Sequence, residues 1–381
     1  MFLRRGVAMR VAFHIDQLWF KAPGGIGTYV WELVPALERQ DPSLELVPFA
    51  ATWASPPPRM WTRRDSPIDV PGSIRSLYPR WDLFARPQLP GSLASCDVVH
   101  ATNHAAIPPA GRGRRLVVTV HDLAFEYFPS AFPRNWRWLF KAGVRAAVRR
   151  ADAILTPSRN TAEDLLSRTR VDPSKLHVVP LAASLEMGSL PVDEVLERLK
   201  LRRPYVLFVG TLEPRKNVVR LVRAYRRAAA AGAPHSLVLV GPLGWQSDAL
   251  MREVALSGPG EISMTGLLAE DELDAVYRGA DAFCYPSLYE GFGLPVLEAM
   301  ARGVPTIASS VSAVPEVAGD GALLVDPRSV RDIAEALQRV LFDSELAEGL
   351  STRGRSQSER FSWDETARGT LRVYEHVLGG K

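Results

Sequence analysis

A chain of 381 residues is too long for one ordinary hydrophobic core, and two domains are its natural division. Its 46% hydrophobic and 23% charged residues are the balance of a globular chain and exclude general disorder; no stretch approaches the roughly 20 apolar residues of a bilayer span. The net charge of +4 suits anionic ligands such as phosphates without demanding nucleic acid.

The opening MFLRRGVAMR leads into no secretory apolar core and is read as no signal peptide. Strand-like runs rich in Val, Ile and Leu follow at 10–15, 97–101, 116–120, 152–156 and 176–179. After a pause over 181–200 they resume at 205–209, 236–240, 261–265, 281–285, 304–308 and 322–325. Helical patterns lie between most of them. Continuous apolar strands alternating with amphipathic helices imply an α/β fold with parallel sheets covered on both faces. The pause divides the chain into 1–184 and 185–360. The Pro-rich stretch 52–95 reads as an irregular excursion on the first domain. Cys96 and Cys284 sit in or beside apolar runs, which fits a reducing cytoplasm and argues against a disulfide framework.

In doubly wound sheets ligands bind beyond the carboxyl ends of the strands, so motifs just after strands carry the functional question. The first is Pro23-Gly24-Gly25-Ile26-Gly27, ahead of a helix expected over 26–39; its amides suit phosphate, although a tight packing turn reads equally well. Next is Thr119-Val-His121-Asp122, where Asp122 is placed to orient the imidazole. His100, Asn103 and His104 are weaker candidates at another strand end. The stretch 134–150 has no acid and spaces Trp136, Phe140 and Val144 helically. It reads either as a helix packed on the sheet or as a basic amphipathic helix on an anionic membrane.

In the second half, Gly210-Thr211-Leu-Glu-Pro-Arg215-Lys216-Asn217 follows a strand and precedes a helix. Fixed cations there would stabilise charge developing on a diphosphate leaving group. The densest motif is DAFCYPSLYEGFGLPVLEAM, with Glu290, Phe292, Gly293 and Leu294 leading to Glu298. Its loop and helix start offer amides to an anion. Two acids beside phosphate would repel it, so Glu290 and Glu298 are matched to sugar hydroxyls. Amides for phosphate and carboxylates for hydroxyls describe a nucleotide sugar.

This segment resembles the E-x7-E signature of the retaining GT-B glycosyltransferases of family four, and Arg302-Gly-Val-Pro-Thr and Glu316 extend the likeness. The resemblance covers essentially the whole chain and is densest over 205–330. It implies two Rossmann-like domains facing across a cleft, with a final helix over 361–380 returning to the first. It also implies front-face transfer of a hexosyl group to an acceptor hydroxyl, assisted by the leaving phosphate, without an enzymic nucleophile; the basic pair Arg215-Lys216 fits a mechanism with no metal cofactor. Lys216 corresponds to the lysine on the donor diphosphate and His121 to the histidine near the transferred sugar. Glu290 corresponds to the sugar contact and Glu298 to the ribose contact. Gly24, Gly25 and Gly27 match the family's glycine loop, which faces the donor diphosphate and the acceptor, and are expected to bind the donor. Many members have arginine directly after Gly210; this chain has Thr211, and Arg215 is expected to substitute.

The motifs look closest to bacterial mannosyltransferases that use GDP-mannose, with a UDP-sugar donor as the alternative and Thr265-Gly266-Leu267 as a candidate base-reading region. The expected acceptor is a glycan or a lipid-linked sugar, and the expected location is the cytoplasm, with peripheral contact on the inner face of the plasma membrane. No Asp-x-Asp motif is placed to hold a metal–diphosphate. Three rivals share parts of this pattern. An epimerase would act on donor alone, a phosphorylase would carry pyridoxal phosphate, and a non-catalytic sugar-binding module would usually lack Lys216, Glu290 or Glu298. Alanine at Lys216 or Glu290 is expected to abolish transfer and leave the fold intact.

Overall fold

The computed structural model describes residues 8–20, 24–55, 66–184, 188–256 and 258–379. The chain forms two compact units, Met1–Leu181 with Ser362–Lys381, and Ala182–Phe361. The division thus falls a few residues before the 184/185 expected from sequence.

The first unit holds β1 (Arg10–His14), β2 (Glu45–Ala51), β3 (Ile68–Val70), β4 (Val98–Ala101), β5 (Arg115–Thr119), β6 (Ala153–Thr156) and β7 (Leu176–Val178). They form one sheet in the order β3-β2-β1-β4-β5-β6-β7, and every pairing is parallel. The second unit holds β8 (Tyr205–Val209), β9 (Ser236–Val240), β10 (Ile262–Gly266), β11 (Ala282–Tyr285), β12 (Thr306–Ser309) and β13 (Ala322–Val325). Their order is β10-β9-β8-β11-β12-β13, again all parallel. The central strands are buried along their whole length because helices cover both faces, which is why they read as unbroken apolar runs.

All eleven sequence-read strands are present; β2 and β3 are additional. β2 was hidden by Pro48, which occupies the register position opposite Phe13 of β1. The stretch 52–95 is less irregular than its prolines imply. It contains β3 and the helix Ile74–Phe84, which accommodates Pro79 and buries Leu77, Tyr78 and Trp81. Pro56, Pro57 and Pro58 lie outside the described residues.

The last helix, Trp363–Val377, belongs to the first unit. Ser362 caps it by accepting the Glu365 N–H. Tyr374 OH lies 2.6 Å from His100 Nδ1, the Thr366 hydroxyl donates to the Pro180 carbonyl at 2.7 Å, and Arg39 pairs with Asp364 at 2.8 Å. The buried hydroxyl–imidazole contact and the flanking apolar residues fix this helix; the exposed ion pair adds little.

Candidate active site

In the second sheet the strand order reverses between β8 and β11. In open α/β sheets the loops after two such strands diverge, and ligands bind at this switch point. Arg215 and Lys216 follow β8, Glu290 follows β11, and the fold brings them together. Lys216 Nζ donates to Glu290 Oε1 at 2.7 Å and to the Tyr285 hydroxyl at 2.5 Å. Arg215 donates from Nη1 to Glu290 Oε2 at 3.1 Å and to the Tyr289 carbonyl at 2.8 Å. Its Nη2 reaches Glu213 at 2.8 Å. The Ser287 hydroxyl donates to Glu290 Oε1 at 2.6 Å.

Local sequence explains the approach. Pro214–Lys216 is a single 3-10 turn that ends on Asn217 in the left-handed conformation, φ 63°. The Asn217 side-chain amide donates to the carbonyls of Pro286 and Pro327 at 2.9 and 2.6 Å, tying this turn to the loop after β11. Gly241 is required beside them, because a Cβ there would collide with the Gly210 carbonyl where β8 and β9 end. Gly293 has φ 113° and caps the helix Leu294–Ala301, with Pro295 in its first turn.

Glu290 is buried at 6% exposure, and burial alone would raise its pKa. Lys216, Arg215 and the hydrogen bonds outweigh that, and its pKa falls to about 2. Burial pulls Lys216 below the usual lysine range, against the attraction of Glu290. The cluster is thus a charged network in which both cations hold Glu290 ionised, while burial and the neighbouring Arg215 oppose the charge on Lys216 that Glu290 favours. Lys216 spends two N–H donors on Glu290 and Tyr285, leaving a third for a ligand.

Glu298 lies on the helix Leu294–Ala301, beyond the loop that carries Glu290, and in a different network. It accepts the Tyr277 hydroxyl at 2.9 Å, and burial shifts its pKa upward. Arg302 donates to Asp274 at 2.8 Å and stacks over the Tyr277 ring. Phe292 is buried edge-on to Phe361. Thr211 lies half-buried after β8, and Gly266 ends β10 with its carbonyl accepting the Gly241 N–H at 2.8 Å. Leu267 is 66% exposed.

In the first unit, Gly24, Gly25 and Gly27 form the opening of the helix Gly24–Gln40 rather than a loop before it, and Pro23 lies outside the described residues. Gly24 and Gly25 are exposed while Gly27 is buried. His121 is buried, and its Nε2–H donates to the Thr102 carbonyl at 2.8 Å. Burial lowers its pKa. Asp122 does not orient the ring as expected: its Oδ1 accepts the Ala124 N–H at 2.9 Å, opening a short helix, and the backbone carbonyl takes the orienting role. His100 is a structural residue, fixed between Tyr374 and the Thr119 hydroxyl. Asn103 turns its Oδ1 to the Ala105 N–H at 2.7 Å. His104 packs against Phe125 and Phe140, with neither ring nitrogen hydrogen-bonded.

The helix Arg134–Arg150 turns Val144 into the core, and Phe140 packs against Trp136 and His104. The apolar stripe is therefore used in packing, and the exposed face carries Arg134, Trp138, Arg145 and Arg149. Among the described residues no helix is long and apolar enough to cross a membrane, and no group of three or more His, Cys, Asp or Glu could hold a metal ion.

Sequence reasoning missed Tyr285, Ser287, Asn217 and Ser312. Ser312 brackets the Glu290 backbone, donating to its carbonyl at 2.6 Å and accepting its N–H at 3.1 Å. Ser287 had a signal in its spacing three residues before Glu290; Ser312 had none.

A sucrose-phosphate synthase from Thermosynechococcus elongatus shares this fold, with a TM-score of 0.75 at 22% identity over 97% of this chain and 99% of that one. Two doubly wound parallel-sheet units of this kind are the GT-B glycosyltransferase architecture. Residues 23–186 match the Glycosyltransferase Family 4 model, and residues 194–357 match the Glycosyl transferases group 1 model. The chain is 29% identical to O-antigen chain mannosyltransferase B of Escherichia coli over 96% of its length and 100% of that protein. It is 30% identical to an MMP alpha-(1->4)-mannosyltransferase of Mycolicibacterium hassiacum, covering 90% of this chain and 89% of the relative. The chain belongs to this glycosyltransferase family, and it is a hexosyltransferase.

Proposed function

We propose that the protein transfers a mannosyl group from GDP-mannose to a hydroxyl of a glycan or lipid-linked acceptor, with retained anomeric configuration and no metal cofactor. The observation that carries this reading is the Lys216–Glu290–Arg215 cluster at the switch point of the second sheet. The mannosyltransferase relatives support the choice of sugar.

In the proposed reaction the bond from the sugar C1 to the β-phosphate oxygen breaks and the acceptor oxygen bonds to C1. The acceptor proton passes to the departing phosphate, and GDP leaves. Lys216 and Arg215 stabilise the charge developing on the diphosphate, more in the transition state than in the ground state. Glu290, kept ionised by both cations, accepts sugar hydroxyls, and Glu298 takes the ribose. Amides at Phe292, Gly293 and Leu294 address sugar and phosphate, with Gly210 and Thr211 beside the diphosphate. Gly24, Gly25 and Gly27 address the donor diphosphate and the acceptor, and His121 lies near the transferred sugar on the acceptor side.

We place the reaction in the cytoplasm, with the basic face around Trp138 supporting peripheral contact with an anionic inner leaflet. The test is incubation of the full chain with GDP-mannose, UDP-glucose or UDP-N-acetylglucosamine and a mannoside acceptor, with and without a chelator. Transfer from GDP-mannose that survives chelation, with an α-anomeric product by NMR, is the expected result. Preferred use of a UDP-sugar, an inverted product, or loss of activity on chelation contradicts the corresponding part.

A further inference from the structure

Beyond β1 and β2 of the first sheet lies a second concavity, of 380 Å³, bordered by Trp19, Trp53, Ala51, Ile68 and Asp69. Trp19 is on the turn after β1 and Trp53 is on the loop after β2, so both occupy the region where open parallel sheets take ligands. The two indoles lie nearly parallel, with centroids 6.0 Å and planes 17° apart. Phe20 stands edge-on to Trp53 at 5.7 Å.

Both indole N–H groups are already committed. Trp19 donates to the Ser55 carbonyl at 2.9 Å, and Trp53 donates to Asp16 Oδ1 at 2.8 Å. What these rings offer a ligand is therefore flat apolar area. Their setting is rigid. Asp16 is fully buried and also accepts the Ala51 N–H at 2.8 Å and the Tyr78 hydroxyl at 3.0 Å, with His14 Nε2 at 2.8 Å. A buried carboxylate is costly unless its oxygens are satisfied, and here four partners satisfy it while fixing the Trp53 ring. At the border, the Asp69 carboxylate is exposed and has no hydrogen bond or ion pair among the described residues.

An aromatic floor with a lone carboxylate acceptor, and no cation among the described lining residues, matches one ligand chemistry well. A pyranose presents an apolar C–H face to stack on indole and hydroxyls to donate to a carboxylate. A phosphate would be repelled by Asp69, and a plain lipid chain has no use for it. We propose that Trp19 and Trp53, with Asp69, form a subsite for a neutral pyranose unit of the carbohydrate acceptor. This rests on the glycosyl-transfer reading above and adds to it which residues recognise the acceptor.

The test is calorimetric titration of the full chain with an α-linked mannotriose, with GDP-mannose binding followed in parallel by thermal shift. Trp19→Ala and Trp53→Ala are each expected to weaken mannotriose binding at least tenfold, and Trp53→Phe less, while all three respond to GDP-mannose as the parent does. Unchanged mannotriose affinity in both alanine variants overturns the proposal, as does failure of the parent to bind mannotriose, or displacement of mannotriose by n-octanol. If Trp53→Ala fails to fold, Trp19→Ala decides, since its indole is bonded to one exposed carbonyl only. Tryptophan-dependent mannotriose binding without any nucleotide-sugar response would sink the transfer reading and leave the subsite standing.

Discussion

The two sheets have the same parallel architecture but furnish their carboxyl ends with opposite chemistry. In the second unit the switch point holds a buried charged network, Lys216 and Arg215 on Glu290. In the first, the strand ends carry His14, His100, His104 and His121 in buried positions together with a tryptophan-walled concavity. Burial lowers the pKa of His100 to about 3 and of His104 to about 4, so both are neutral near pH 7. In the proposed reaction the contrast corresponds to two jobs. Charge is concentrated where a diphosphate would leave, and neutral polar and aromatic surface is placed where an uncharged hydroxyl would be recognised.

The largest effect is expected from breaking the charged end. Glu290→Ala strands the buried Lys216 and leaves Arg215 to Glu213 and the Tyr289 carbonyl; it should cost about 3–5 kcal/mol of stability by denaturant titration, besides abolishing transfer. This corrects the expectation that the fold would be untouched. Lys216→Met leaves Glu290 paired with Arg215, so it should unfold more easily by less than that while kcat falls by about 10²–10³. Equal stability losses in the two variants would contradict the shared network. Gly293→Ala comes next: its φ of 113° is one that side chains rarely adopt, and a loss of about 1–3 kcal/mol in thermal melts is expected.

The histidine end is sharpened by pH. Below 6.5 the unfolded chain protonates His104 while the native state resists until about pH 4, so stability should fall across that window. His104→Phe removes two unbonded ring nitrogens from an aromatic setting. It should raise stability by about 1 kcal/mol at pH 7 and flatten the acid slope between pH 6.5 and 4. A slope equal to the parent's would show that His104 is not the group responsible. Glu290 adds a separate decline at lower pH. Its stabilisation is present above the ordinary glutamate range near 4.5 and is lost as pH falls toward 2. The smallest effect belongs to Tyr277→Phe, which removes the hydroxyl bound to Glu298 and should cost about 0.5–1.5 kcal/mol.

Most of this framework was legible in the sequence, because strands buried on both faces leave continuous Val, Ile and Leu runs. The exceptions have physical causes. β2 contains a proline, β3 has only three residues, and the helix Ile74–Phe84 carries Pro79 within a proline-rich stretch. At the site, the positions of Lys216 and Glu290 after strands were readable, but their pairing across 74 residues was not. Nor could spacing reveal that Thr102 rather than Asp122 holds the His121 ring. Such contacts depend on which strand ends become neighbours, and that is fixed by sheet order, which no local pattern contains.

The central claim is that the charged switch point binds the diphosphate of a nucleotide sugar. Thermal unfolding of the parent and of Lys216→Met, each with and without GDP-mannose, tests it most directly. The parent should gain about 2.7 kcal/mol at a hundredfold excess over its dissociation constant, and Lys216→Met should gain far less at the same concentration. An equal gain in both proteins, or none in the parent with any nucleotide sugar, would contradict the account.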